Sequence, residues 1–62
     1  MRASRVRADR VRVGDEILSP YYPRRWQVVE AVLRDGPRPI GLDTPRDRTW
    51  WEVEALVPCR TP

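Results

Sequence analysis

The feature that most constrains the fold of this chain is its longest apolar-rich run, residues 26–34, which is followed by Asp35 and Gly36. An Asp-Gly pair is a strong turn signal. Because side chains alternate along a strand, a strand here would have two distinct faces. One face carries Val29, Ala31 and Leu33, and the other carries Trp26, Val28, Glu30 and Val32. We predict a central strand, with residues 40–44 returning as its hairpin partner.

A helix is the alternative for the same run. Pro23 suits a first helical turn, Gly36 suits a C-terminal cap, and Trp26, Val29 and Leu33 recur at helical spacing. However, the run contains three valines, which are β-branched and lose rotamer freedom in a helix. An isolated helix among so many proline and glycine breaks would also have little to pack against. The strand is therefore the preferred interpretation.

Short alternating segments on both sides of this run predict further strands. Apolar residues alternate with arginines at residues 5–8 and again at residues 10–13, and the pattern resumes at residues 16–19. A short aromatic strand is expected at residues 50–53. Val11-Arg12-Val13-Gly14-Asp15-Glu16-Ile17 resembles the Val-x-Val-Gly-Asp-x-Ile phrase that opens many SH3-like modules. The tryptophan-rich strand followed by Ala55-Leu56-Val57-Pro58 resembles the closing end of such modules.

The resemblance implies an all-β fold, a small five-stranded SH3-like barrel with one 3₁₀ turn before the last strand, at residues 54–56. The predicted organisation is a flexible basic N-terminus at residues 1–4, a single barrel domain at residues 5–60 and a tail at residues 61–62. SH3-like barrels bind peptides, RNA or DNA, or take part in phage assembly, so the architecture alone does not select a function.

Composition argues against several classes of protein. The 62 residues contain no histidine, no lysine and one cysteine, Cys59, so the commonest general base and the amine nucleophile are missing. We expect a protein that is not an enzyme, with no metal site, no cofactor and no small-molecule substrate. Cys59 is expected to be a small buried or edge thiol. No apolar stretch has the length of a membrane span, and a single cysteine fits a reducing compartment, so the expected location is the cytoplasm.

Basic charge is concentrated near the N-terminus. All twelve basic residues are arginine, as in proteins from GC-rich genomes such as those of actinobacteria and their phages. Residues 1–14 carry five arginines against one acid, whereas the remainder carries seven against eight. Such an arm is a candidate nucleic-acid contact, although a solvated end is the alternative. The predicted nucleic-acid-binding residues are Arg2, Arg5, Arg7, Arg10 and Arg12, with the loop residues Arg24 and Arg25.

Five large aromatic rings form the second group of candidate residues. Trp51 is expected in the core, in register with Val53, whereas an exposed interaction surface is predicted for Tyr21, Tyr22, Trp26 and Trp50. These rings can stack on bases while neighbouring arginines hold phosphates, or they can hold a proline-rich peptide. The arginines expected beside the rings are Arg24, Arg25, Arg46 and Arg48. Alternatively, the rings only cap the barrel, with arginine stems lying over them.

Two hypotheses about function follow. The first is a non-enzymatic module that binds nucleic acid weakly, DNA in particular, through the arginines. The alternative is a protein-interaction or accessory module that uses the aromatic surface. That module could be derived from a phage or form a homo-oligomer, since self-association would help so short a chain to bury apolar area.

Overall fold

The computed structural model describes residues 3–34, 36 and 39–61, which form seven antiparallel strands in two sheets. The first sheet has the order β1-β7-β2-β3 and the second β4-β5-β6. A short 3₁₀ turn, Ala8–Arg10, follows β1. The strands are β1 (Ala3–Arg7), β2 (Glu16–Ser19), β3 (Tyr22–Val28), β4 (Ala31–Arg34), β5 (Ile40–Asp43), β6 (Arg48–Trp51) and β7 (Leu56–Arg60).

The prediction of an all-β fold is confirmed, but its finer details differ. The described residues contain seven strands rather than five, and their ladders leave the two sheets unclosed. The 3₁₀ turn lies at Ala8–Arg10 instead of residues 54–56. Near the predicted position the chain forms a turn at residues 53 and 54, closed by Ala55 N–H donating to Glu52 C=O at 3.0 Å. Ala8 is buried and donates its N–H to Ala55 C=O at 2.9 Å. This bond docks the 3₁₀ turn against the later turn.

The central run is extended, as predicted, but it divides between the two sheets. Residues 29 and 30 lie between β3 and β4. The N–H of Val29 donates to Asp15 C=O at 2.8 Å, and that of Glu30 donates to Asp43 C=O at 2.7 Å. This break changes the alternation, so Val32 packs against the core that also buries Val29. The predicted assignment of these two valines to opposite faces is therefore wrong.

The predicted hairpin between the central run and the following strand is confirmed. β4 pairs with β5, with Leu33 opposite Gly41, and β5 pairs in turn with β6. Gly36 in the connection has a φ of +90°, a conformation that favours glycine, while Asp35 lies outside the described residues. A Cβ on Gly41 would come within 2.9 Å of the Trp50 ring, so the glycine makes room for that indole.

Proline limits one of the ladders in the first sheet. β7 pairs with β1 along Ala3–Arg7, but its ladder with β2 consists of Glu16 opposite Arg60 and Ile17 opposite Cys59. The next position in β7 is Pro58, which has no N–H to donate. The end of β2, Leu18 and Ser19, is therefore not paired with β7.

A small apolar core lies between the sheets. Trp51 and Val53 pack against it from the side, and the Trp51 indole N–H donates to Thr49 Oγ1 at 2.6 Å. Cys59 is buried, as predicted, and burial, followed by the nearby Asp15 carboxylate, raises the pKa of its thiol. The core consists of Ala8, Val11, Ile17, Val29, Ile40, Leu42, Val57 and Cys59.

Substitutions of two leucines, one buried and one exposed, test the assignment of this core. Leu42 is 0% exposed and Leu56 is 55% exposed. We expect Leu42→Ala to lower the free energy of unfolding by about 2–5 kcal/mol through lost burial and a cavity, or to unfold a domain this small outright. Leu56→Ala, the same chemical change on the surface, should cost about 0.5 kcal/mol or less. Urea denaturation followed by tryptophan fluorescence measures both, and equal losses would contradict the assigned core.

The buried thiol gives a second test. Cys59 is 2% exposed, and a thiol reacts through its thiolate, which the raised pKa disfavours. A disulfide reagent at mildly alkaline pH should therefore modify the native protein at least about tenfold more slowly than the protein in denaturant. Similar rates in the two solutions would show that Cys59 is accessible in the native fold.

Candidate nucleic-acid interface

Two tyrosines and three arginines line an open cleft of about 460 Å³. We call it the Tyr–Arg cleft, and its lining residues are Tyr21, Tyr22, Arg24, Arg25 and Arg46. All five are exposed, and the described lining contains no acidic residue. The cleft therefore combines three guanidinium charges with two aromatic faces.

An irregular ladder places the two central arginines at the cleft. In the β2–β3 pair, Ile17 lies opposite Gln27 and Ser19 opposite Tyr22, so that the four residues 23–26 stand opposite the single Leu18. The extra residues make a wide bulge, and a bulge redirects side chains that a regular strand would alternate. The bulge contains Arg24 and Arg25. Both arginines are thereby presented beside the tyrosines of the hairpin turn.

A buried polar network fixes the two loops that carry the cleft. Ser19 Oγ donates to Asp47 Oδ2 at 2.6 Å and accepts the N–H of Tyr21 at 3.1 Å. Thr44 Oγ1 donates to Asp47 Oδ1 at 2.9 Å, and Thr44 N–H donates to Asp47 C=O at 2.8 Å. The same Thr44 oxygen accepts the N–H of Arg46 at 3.3 Å. Ser19 and Thr44 are buried, so these bonds are shielded from water and tie the Tyr21 turn to the Arg46 turn.

The arginines of the cleft have no acidic partner among the described residues, unlike several others. Arg7 pairs with Asp9 at 3.1 Å, Arg48 with Asp43 at 2.5 Å and Arg60 with Glu16 at 2.6 Å. Hydrogen bonds from Arg7 and Arg48 are the main causes that lower the pKa values of Asp9 and Asp43. Within the cleft, by contrast, the Arg46 guanidinium lies 5.8 Å from the Tyr22 ring centre. The cleft arginines are thus available to an external anion.

The predicted N-terminal arginines do not form one surface. Arg2 lies outside the described residues, and Arg7 is paired with Asp9. Arg10 and Arg12 line a second cavity of about 350 Å³, together with Asp9, Val11 and Arg34. Arg5 lines a third, more apolar cavity with Trp26. The segment from Ala3 to Arg7 is a strand paired with β7, which contrasts with the loose or frayed end considered from the sequence.

The four aromatic residues that were predicted to form one exposed surface also do not lie together. Tyr21 and Tyr22 share the Tyr–Arg cleft. Trp26 is half-buried in the first sheet, with the Arg60 guanidinium 4.4 Å from its ring centre. Trp50 is exposed in the second sheet, where its ring lies beside Gly41. The two tryptophans thus belong to different sheets, and only the tyrosines combine with a cluster of arginines.

Arg46 was expected beside the aromatic rings but not among the nucleic-acid-binding residues, whereas Arg34 was not predicted at all. Arg46 lies in the β5–β6 turn, and its position beside Tyr22 depends on the Thr44–Asp47 bonds. Arg34 lines the second cavity and donates to Asp9 C=O at 2.7 Å.

No family model matches this sequence, and no curated protein or solved structure is significantly similar to it. Among the described residues, no helix has the length and apolar character needed to cross a membrane. The same part of the chain contains no cluster of three or more residues of the usual metal-ligating types.

The network makes a direct prediction about stability. Ser19→Ala removes the hydroxyl that joins the Tyr21 N–H to Asp47, so that both part-buried hydrogen bonds are lost. We expect a loss of about 1–3 kcal/mol in the free energy of unfolding. The control is Ser4→Ala, which changes an exposed serine of β1 and should shift stability by about 0.5 kcal/mol or less. Equal denaturation midpoints for the two variants would contradict a structural role of the network.

Proposed function

We propose that this protein is a non-enzymatic module that binds nucleic acid through the Tyr–Arg cleft. The observation that carries the proposal is the grouping of two exposed tyrosine rings with three arginines that have no acidic partner in the described part of the chain. Guanidinium groups bind phosphate oxygens in pairs and remain charged at all physiological pH values. Aromatic rings beside them can contact the bases or sugars of the same strand.

The charge balance favours weak, salt-sensitive binding. The net charge of the whole chain is only +3, and several arginines are already paired with acids. A ligand in the cleft would contact few phosphates, and each phosphate contact contributes about 0.7–0.9 to the slope of log affinity against log salt concentration. DNA is the first ligand to test, and Arg10, Arg12 and Arg34 form a secondary basic surface for a longer strand.

The strand order supports the proposal that the fold is related to SH3-like modules. One sheet contains β7, β2 and β3, the other contains β4, β5 and β6, and β3 and β4 follow each other with two residues between them. If β3 and β4 are counted as one bent strand shared by both sheets, the six strands become five. β1 is then an additional edge strand that pairs with β7. Such modules include nucleic-acid binders. The fold is therefore consistent with the proposed function, but the proposal rests on the cleft.

Two triple variants with the same net charge test the site. The first, Arg24→Ala/Arg25→Ala/Arg46→Ala, removes the charges of the cleft. The second, Arg5→Ala/Arg10→Ala/Arg12→Ala, removes three exposed N-terminal arginines that have no described ion pair. Fluorescence anisotropy with labelled DNA at low salt should give at least about a tenfold weaker affinity for the first variant and a smaller change for the second. The salt slope should fall by about two for the first variant.

The outcomes discriminate between the hypotheses. Equal losses in the two variants would mean that net charge, rather than the cleft, drives binding. A complex of the wild-type protein that is unchanged at high salt would contradict phosphate contacts. If no nucleic acid binds and a mass measurement gives a dimer, the result would favour the alternative of a protein partner or a second copy.

A further inference from the structure

We infer that the Tyr–Arg cleft selects unpaired nucleotides, holding one base against the Tyr21 ring while the arginines contact the flanking phosphates. This inference rests on the proposed function and specifies its ligand as single-stranded nucleic acid. It depends on the shape and exposure of the cleft as well as its charge.

The exposure of the two tyrosines identifies the stacking surface. Tyr21 is 73% exposed and Tyr22 is 40% exposed. Both line the same cleft, because Tyr21 lies in the turn and Tyr22 begins β3, so the alternation of a regular strand does not separate them. Arg46 lies over the Tyr22 ring, whereas no guanidinium among the described residues lies over the Tyr21 ring. Tyr21 is therefore the ring with a free face.

The Tyr21 ring is exposed, but its backbone is held in place. Its N–H donates to Ser19 Oγ, and Ser19 is itself bonded to Asp47 in the buried network. An exposed aromatic ring on a fixed backbone loses little conformational entropy when a flat ligand stacks on it, since only its own side-chain torsions must be ordered. The ring is thus prepared for stacking although it is largely exposed in the free protein.

The dimensions of the cleft favour a single base over a duplex. Its volume of about 460 Å³ lies within the range of small-ligand sites, about 300–1,000 Å³, and can admit a base. In a duplex, the faces of the bases are covered by their neighbours, so stacking on Tyr21 would require unpairing and unstacking. In a single strand the faces are accessible, and stacking on an aromatic side chain tolerates any base. Single-stranded DNA and RNA share this chemistry.

The experiment compares four labelled oligonucleotides of equal length by anisotropy at low salt. They are single-stranded DNA, RNA of the same sequence, the corresponding DNA duplex and an abasic DNA strand that has phosphates but no bases. The wild-type protein should bind at least one of the base-containing single strands at least about tenfold more tightly than the duplex or the abasic strand. The DNA and RNA arms identify which single strand is preferred.

Tyr21→Ala and Tyr21→Phe provide the matched pair of variants. Tyr21→Ala should weaken binding to the base-containing single strands by about five- to 150-fold and leave binding to the abasic strand unchanged. Tyr21→Phe retains the ring and should bind as the wild type does. Because Tyr21 is exposed, neither variant should change the denaturation midpoint appreciably.

The failures of the two proposals are distinguishable. If binding depends on the cleft arginines but is equally tight for single strand, duplex and abasic strand, the base-stacking inference is overturned while the proposed function stands. A loss as large in Tyr21→Phe as in Tyr21→Ala would also overturn it, because the hydroxyl rather than the ring would then be required. Absence of binding to all four ligands would overturn both proposals.

Discussion

The hydrogen bond between Ser19 and Asp47 is the interaction on which the site depends. Ser19 ends a strand of the first sheet, and Asp47 lies in a turn of the second, so this bond crosses between the sheets. Thr44 holds the other carboxylate oxygen of Asp47, and the Tyr21 N–H completes the network from the other side. A carboxylate bound in this way is occupied by hydroxyl donors. The Asp47 carboxylate therefore positions the loops of the cleft and is not paired with the cleft arginines.

The division of the central run between the sheets makes this arrangement possible in a short chain. β3 and β4 belong to different sheets, and the two residues between them donate hydrogen bonds to Asp15 and Asp43. A continuous segment therefore ties both sheets to a small core. A domain of this size has little hydrophobic free energy to spare. Shielded polar bonds at one end of the core thus supplement what apolar burial alone supplies.

The sequence predicted those features that follow from local patterns. Alternation and β-branching identified the central run as extended, and the Asp-Gly signal placed its hairpin with β5. The break after Val28 could not be predicted, because it depends on acceptors at Asp15 and Asp43 that are distant in sequence. The tyrosine and arginine residues of the β2–β3 hairpin were recognisable as candidates, and Arg46 was expected beside the aromatic rings, but which ring it would meet could not be predicted. Its position beside Tyr22 is set by tertiary contacts.

The bulge in β3 has a consequence for how this protein can change. The ladder is in register at Tyr22 and again at Gln27, and the residues between them stand opposite Leu18 alone. Insertions or deletions in this segment would alter the reach and composition of the binding surface while leaving the pairing on both sides intact. The scaffold and the recognition surface can therefore diverge independently, so a lineage of such proteins could acquire new ligands without first acquiring a new core.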